Sequence, residues 1–393
     1  MVRKSGWNTV KLKDICDFIG GGTPSKQVEN FWHGNIPWIS SSDLTESSVW
    51  KINITRHITE EAVAKSATHI CPRNTVLVVS RVGVGKVAIA PVEVCTSQDF
   101  TNLVSKRNDA RFLAYCIQAK MKIMAEKTQG TSIKGVTVES IAQMEIELPS
   151  QEEQTAIAEV LSDVDNLISS LQQLIEKKKA IKQGTMQKLL TGKKRLPGFS
   201  GKWTNTTLGR CFSKIVGGGT PPRAISEFWN GEIPWATVKD FATFNPYKTQ
   251  EYISEAGLNH SSTHLIPKGT LITSTRMGIG KIVIYYVDVA INQDLKALFV
   301  SDDVSKEYIY HLFGMVGKII ESLGNGSTVK GIRIEQLKNL SIVLPKKNEQ
   351  QAIAQVLSDM DSEIEQLEKK LAKYQQIKQG MMQELLTGRI RLV

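Results

Sequence analysis

The strongest constraint on this chain is that it says nearly everything twice. "GGGTPSKQVENFWHGNIPW" (Gly20–Trp38) returns as "GGGTPPRAISEFWNGEIPW" (Gly217–Trp235). In the same order "SRVGVGKVAIA" (Ser80–Ala90) returns as "TRMGIGKIVIY" (Thr275–Tyr285), and "SQD" (Ser97–Asp99) as "NQD" (Asn292–Asp294). "GTSIKGVTVESI" (Gly130–Ile141) returns as "GSTVKGIRIEQL" (Gly326–Leu337), "EQTAIAEVLSDVD" (Glu153–Asp165) as "EQQAIAQVLSDMD" (Glu349–Asp361), and "IKQGTMQKLLTG" (Ile181–Gly192) as "IKQGMMQELLTG" (Ile377–Gly388). The period is half the 393-residue chain, far above the ~20–50 residues of a solenoid repeat. Whole domains are duplicated, so the two halves must reach the same fold.

Each half opens with a mixed region of about 150 residues, an ordinary domain size. Short β-branched apolar runs, "TVLVVS" (Thr75–Ser80) and "KVAIAP" (Lys86–Pro91), read as buried strands. Asp109–Lys127 reads as a helix, with its second copy near Lys306–Ser322. A long helix follows in each half. Ile157, Leu161, Val164, Ile168 and Leu171 step by four and three, and so do Ile353, Leu357, Met360, Ile364, Leu367 and Leu371. That is a coiled-coil seam. The reading is therefore α+β. Two similar mixed α/β domains, 1–150 and 193–346, alternate with helices at 151–192 and 347–393. A helix of about 40 residues is about 60 Å long, and one apolar seam needs a partner; the nearest is the other copy. Antiparallel pairing within the chain would give a pseudo-two-fold dumbbell. Ser150 and Glu153 have capping-box spacing at the first helix start, and Gly192 marks its stop. Lys182 and Lys378 hold matching late seam positions. They either fix register or, the reading preferred here, sit where the coil splays and reach water. Pro and Gly in Lys193–Trp203 make that stretch the linker into the second domain.

Charge bears on the partner. Lys and Arg number 49 against 39 Asp and Glu, a net charge of +10. That points to a polyanion, nucleic acid or an acidic membrane surface, or equally to a chain that merely happens to be basic. No stretch reaches the ~18 apolar residues of a spanning helix, and "MVRKSGWNTVKL" lacks the apolar core of a signal peptide. The expected place is the cytoplasm, with no membrane partner. The five cysteines, Cys16, Cys71, Cys95, Cys116 and Cys211, are odd in number and form no CxxC. Cys71 and Cys95 are answered by Ile266 and Ala290 in the second copy, the behaviour of a small core hydrophobe.

No catalytic pattern recurs in both halves. "FIGGG" (Phe18–Gly22) matches the F-x-G-x-G of methyltransferases, but its copy reads "IVGGG" (Ile215–Gly219), and Asn245-Pro246-Tyr247 is an incomplete aminomethyltransferase tetrad. Lys86 and Lys281 lack the glycine spacing and Ser/Thr of a P-loop. The histidines have no metal-ligand spacing; His69 and His264 correspond, in ordinary apolar-flanked stretches. No metal or cofactor is expected on this chain.

Binding DNA makes better sense of the repeats. Glycine turns at Gly22–Thr23 and Gly219–Thr220 let backbone amides approach phosphate, or are simply structural corners. Arg81 and Arg276 follow a strand beside a Gly-x-Gly-Lys turn that adds Lys86 and Lys281, a fork and a point charge able to clamp phosphate or read guanine. Gln98, Gln293, Lys134 and Lys330 stand on further loops. Identical residues cannot distinguish unlike half-sites, so discrimination is expected where the copies differ: Ser25 and Lys26 against Arg223, Ser41 against Thr237, and Thr45–His69 against Thr243–His264. Trp32, Trp38, Trp229 and Trp235 read as core packing rather than base stacking.

Taken together, the "GGGTP…FW.G.IPW" phrases, the "R.G.GK" loops, the "EQ..IA.VLS..D" helix starts and the "LLTG…R" helix ends (Leu189–Arg195, Leu385–Arg391) resemble the specificity subunit of Type I restriction–modification enzymes over nearly the whole chain. The resemblance implies two target recognition domains, each reading half of a split double-stranded DNA site, with the helices as a ruler. It implies a non-catalytic chain that assembles with two methyltransferase subunits carrying S-adenosylmethionine chemistry. Restriction subunits join through the complex and carry ATP- and Mg-dependent translocation and cleavage. A 60 Å coil caps the spacing near roughly 17 base pairs at about 3.4 Å each. The rival readings are a self-sufficient DNA-modifying enzyme and a coiled-coil scaffold.

Overall fold

The computed structural model describes residues 6–128, 135–324 and 331–392. It divides into two compact units, one of residues 1–173 with 369–393, the other of residues 174–368. Neither is a simple half of the chain: each combines one mixed region with the start of its own long helix and the end of the other.

In the first unit the central strand is β5 (Val76–Val79), whose four aliphatic side chains are all buried. A strand covered on both faces reads as such a continuous apolar run. It lies in an antiparallel sheet of order β2 (Cys16–Gly20), β8 (Phe100–Ser105), β5, β6 (Val87–Ile89). A second sheet sets β3 (Ile36–Ile39) between β4 (His57–Ile58), antiparallel, and β7 (Cys95–Thr96), parallel. β1 (Asn8–Lys11) pairs with β9 (Glu145–Leu148). Three short helices, α1 (Leu12–Ile15), α2 (Glu60–Ala64) and α4 (Val138–Ala142), link these strands. α3 (Ala110–Thr128) packs on the sheet through Phe112, Leu113 and Ile117.

The second unit repeats the plan. One sheet has the order β11 (Phe212–Gly217), β18 (Leu295–Val300), β15 (Leu271–Ser274), β16 (Ile282–Ile284). The other has the order β13 (Glu251–Ile253), β12 (Ile233–Ala236), β17 (Val289–Ile291), β14 (His264–Ile266). β14 departs from the plan, its first-unit counterpart being reduced to a bridge between Cys71 and Val94, and a 3-10 turn at Leu208–Cys211 replaces α1. β10 (Thr204–Thr207) pairs with β19 (Ser341–Leu344), and α6 (Glu255–Asn259), α7 (Lys306–Ser322) and α8 (Ile334–Lys338) match α2, α3 and α4. All five cysteines are free and buried.

The long helices are α5 (Gln151–Leu190) and α9 (Lys347–Leu385). In the first unit Ile157, Ala158 and Leu161 share a core with Leu385 and Leu386, and Asp165 meets Lys378 at 2.6 Å. In the second, Ile353, Ala354 and Leu357 share a core with Leu189 and Leu190, and Lys178 meets Glu363 at 2.6 Å. Numbers rise on one helix as they fall on the other, so within each unit the segments run antiparallel. Of the seam residues, Ile157, Leu161, Ile168, Leu171, Ile353, Leu357 and Ile364 are buried, while Val164, Met360, Leu367 and Leu371 are half-buried. α5 stops at Leu190, with Gly192 left-handed at φ +69°.

Two expectations fail here. Lys182 and Lys378 do not splay into water. Lys378 is buried on Asp165, and Lys182 pairs with Asp361. Antiparallel pairing sets the polar end of each helix against the start of the other, where an aspartate flanks the seam and supplies the counter-charge. The capping box at α5 is half made: Ser150 Oγ accepts the Glu153 amide at 3.2 Å, but the buried Glu153 carboxylate takes Arg391 (2.5 and 2.7 Å) and the Trp7 indole (3.1 Å) instead. Glu349 and Arg195 repeat that clamp at 2.5 and 2.7 Å. The glutamine that follows each glutamate has a separate task. The Gln154 Oε1 accepts the Asp109 amide at 3.1 Å, and the Gln350 Oε1 accepts the Ser305 amide at 2.9 Å, anchoring the starts of α3 and α7. The "EQ" and "LLTG…R" phrases are thus two ends of one helix-pair clamp. Among the described residues no helix is long and apolar enough to cross a membrane.

Candidate nucleic-acid interface

The repeated opening phrase builds a corner. A Cβ on Gly21 would lie 2.0 Å from Ser97 O, and one on Gly218 would lie 1.9 Å from Ile291 O. Only glycine lets the turn press against β7 or β17. The turn is pinned by indoles: Trp38 Nε1 donates to Gly22 O (2.9 Å) and Trp235 Nε1 to Gly219 O (3.1 Å). Trp32 and Trp229 cross them edge-on at 5.1 and 5.0 Å. The amides of Gly22 and Gly219 are spent on Thr96 O and Ile291 O. This corrects the phosphate-cradle reading of both glycines, because a donor used inside the sheet is not offered outside. The next residues do face out: Thr23 donates to Gln98, and Thr220 to Gln293 at 2.5 Å, joining two predicted positions in each unit.

The expected discriminating pairs are largely structural. Arg223 forks onto Glu251 at 2.5 and 3.0 Å and stacks 3.8 Å over Trp229. That charge-assisted pair raises the Arg223 pKa and lowers that of Glu251. The first unit covers its tryptophan differently: Arg56, held by Asp43 and Ser40, lies 4.8 Å over Trp38. Thr237 is buried, and its hydroxyl and amide bond Asp240 at 3.1 and 2.8 Å, capping a single turn. Ser41 offers its carbonyl to Lys86 Nζ at 2.9 Å, so Lys86 straps two loops together. Arg223, Thr237 and Lys86, all expected at the DNA, each hold an internal partner for the polar head. Ser25 and Lys26 are exposed.

The Arg loop is also open to solvent. Positive φ at Gly83 (+88°) and Gly85 (+106°), and at Gly278 (+72°) and Gly280 (+81°), turns the chain so that Arg81 and Arg276 project outward. In the first unit Ser80–Val82, Gln98–Asp99 and Gly135–Val138 line an open cleft of about 530 Å³. Val136 N bonds Ser80 O at 2.7 Å, which lays the third segment on the first. In the second unit Ile332 N bonds Thr275 O at 2.9 Å and Arg276 bridges Gly331, the same construction. Arg276 Nη1 stands 3.6 Å from Asp294, and Lys281 is exposed. Lys134 and Lys330 lie outside the described residues.

Three features escaped sequence reading. Val82 and Met277, at the loop tips, are exposed apolar residues, and Met277 has φ +44°, uncommon for a side-chain-bearing residue. Lys296 sits behind Arg276, its Nζ on Gln293 O at 2.6 Å, and burial lowers its pKa. Arg333 stands exposed beside the Arg276 loop, where the first unit has Thr137. Aligning the repeats would have exposed that last difference. His69 and His264 are both exposed, and His264 Nδ1 lies 2.9 Å from Gly217 O. Among the described residues no cluster of three or more His, Cys, Asp or Glu could hold a metal.

One glycine-turned arginine loop and one glutamate–arginine helix clamp in each unit define a duplicated protein of two like domains. The family model for the Type I restriction modification DNA specificity domain matches twice, over residues 4–182 and 201–379. The chain belongs to that family and is a Type I restriction–modification specificity subunit with two target recognition domains. It is 26% identical over 414 residues to the Type I restriction enzyme MjaIX specificity subunit of Methanocaldococcus jannaschii, covering 98% of this chain and 94% of that one. It is 36% identical over 163 residues to the Escherichia coli EcoR124I/EcoR124II specificity subunit, 40% of each chain. In fold it is similar to the crystal structure of the S subunit from M. genitalium, with a TM-score of 0.63 at 16% identity, covering 98% and 97% of the two chains.

Proposed function

We propose that each recognition domain reads one half of a bipartite, asymmetric DNA site. In this reading α5 and α9 set the spacer and dock two methyltransferase subunits. The chain itself is non-catalytic: S-adenosylmethionine chemistry belongs to the methyltransferase subunits, and ATP- and Mg-dependent translocation and cleavage belong to restriction subunits joined through them. The complex works in the cytoplasm. The observation that carries this is the paired Arg81 and Arg276 loops, alike in backbone plan and unlike in their surroundings. Thr23 with Gln98, Thr220 with Gln293, Ser25, Lys26 and Lys281 are proposed for the same face, as are Lys134 and Lys330 from sequence alone.

The test is to co-express the chain with its methyltransferase subunit and map methylated bases genome-wide. The expected result is one split motif with unlike halves. Lengthening α5 and α9 by one heptad each adds about 10 Å, near three base pairs. The spacer should then grow while both half-sites hold. A single contiguous motif, or half-sites that change with helix length, would refute the reading.

A further inference from the structure

The two copies must discriminate unlike half-sites, and several of the positions that differ between them already hold internal partners. Arg223 and Thr237 are spent on internal partners, as is Ser40 on Asp43 and Arg56. Two differing pairs face solvent at the Arg loop, apolar Val82 against Met277 at its tip and Thr137 against Arg333 beside it, and only the second sets a hydrogen-bonding fork in one copy against a capping hydroxyl in the other.

These two residues do opposite things at one backbone position. Thr137 is the N-cap of α4, with its Oγ1 accepting the Ser140 amide at 3.1 Å. Arg333 is the N-cap of α8, and guanidinium has no acceptor to offer. Only the reverse half of the box forms, Arg333 N donating to Gln336 Oε1 at 3.0 Å. Thr is favoured and Arg is not among the preferred residues at this position. The second copy has given up a helix cap for a long exposed cation. A local rule broken at one copy of a duplicated cleft marks a functional site. The surroundings fit: Arg333 follows Ile332, whose amide is tied to Thr275 O, and Gly331, which bridges Arg276. Arg276 and Arg333 therefore rise from adjacent strands of chain. Among the described residues no carboxylate lies within ion-pair reach of Arg333, whereas Arg276 has Asp294 at 3.6 Å.

We propose that Arg333 is the specificity-determining side chain of the second recognition domain and reads a guanine edge. Its fork matches guanine O6 and N7, the commonest specific pairing in the major groove. Arg81 and Arg276, common to both copies, then serve phosphate or a shared base. The first domain, with Thr137 tied to its helix, reads a different base at that place. This rests on the half-site reading above.

The test uses the chain assembled with its methyltransferase subunits, comparing wild type, Arg333→Thr and Arg333→Lys by mapping methylated sites. Arg333→Thr restores the cap residue of the first copy, so the fold should hold, which thermal melting checks. Wild type should show a guanine in one half-site. In Arg333→Thr, discrimination at that one position should fall by about 10- to 100-fold, with the other half-site unchanged. Arg333→Lys should also relax it, since a point charge lacks the fork. Unchanged stringency in Arg333→Thr overturns the proposal. So does an even loss of methylation at all sites with stringency intact, the signature of a phosphate contact, or full rescue by lysine. If wild type itself shows no split motif, the half-site reading falls, and the assignment with it.

Discussion

Replacing Lys378 by alanine should harm this protein far more than replacing its repeat-mate Lys182. Both lysines meet an aspartate across antiparallel helix segments. In the first unit the side chains of Lys378 and Asp165 are 8% and 4% exposed, and Asp165 also accepts the Tyr115 hydroxyl at 2.8 Å. In the second, Lys182 and Asp361 are 23% and 42% exposed. Removing one partner of a buried pair strands the other charge, at a cost of about 3–5 kcal/mol. Removing one partner of a half-exposed pair costs less, nearer the value of about 0–1 kcal/mol for a surface pair. For a unit of this size each kcal/mol moves the melting temperature by about 2–4 °C, so Lys378→Ala should lower that of the first unit by roughly 6–20 °C and Lys182→Ala should scarcely move that of the second. A two-unit chain need not melt in one step. Hydrogen exchange read on α3 and α7 peptides separates the two effects: α3 should lose protection in Lys378→Ala, and α7 should be nearly unchanged in Lys182→Ala. Equal losses in both variants would refute the argument from burial.

Two further outcomes follow from the same residue-level asymmetry. His311 occupies the place of Tyr115, with Nε2 3.1 Å from Ser358 Oγ and Nδ1 3.9 Å from Asp361, and Lys182 and Glu307 also facing it. Burial depresses its pKa below the ordinary 6.5, against the pull of Asp361. The unfolded chain therefore binds the proton more readily, so the stabilisation is complete above pH 6.5 and is lost as pH falls below it. Denaturant titrations of α7 protection at pH 7.5 and 5.5 should show this loss, and His311→Tyr should flatten it. Gly21→Ala forces a Cβ onto Ser97 O, an overpacking cost of about 1–3 kcal/mol or more, whereas Gly20→Ala meets nothing within 4 Å. Urea midpoints should fall for the first variant and hold for the second.

Much of the architecture was written in one dimension. The seam from Ile157 to Leu171 and its copy from Ile353 to Leu371 declare long helices because burying one stripe every 3.5 residues is a local, periodic demand. Cys71 and Cys95 declared themselves core residues by exchanging with Ile266 and Ala290. Duplication also told, with no geometry at all, that the halves share a fold. What the linear order could not decide was which polar groups are already satisfied. Arg223 and Lys86 look like free cations until Glu251 and the Ser41 carbonyl, 28 and 45 positions away, close on them. Lys378 looks solvated until Asp165, more than two hundred residues earlier, is laid beside it by antiparallel packing. A side chain's period can be read along its own segment, but its hydrogen-bond partner arrives from elsewhere in the chain. The same reasoning singles out Arg333, whose meaning comes from the missing helix cap and from the arginine that tertiary structure sets beside it.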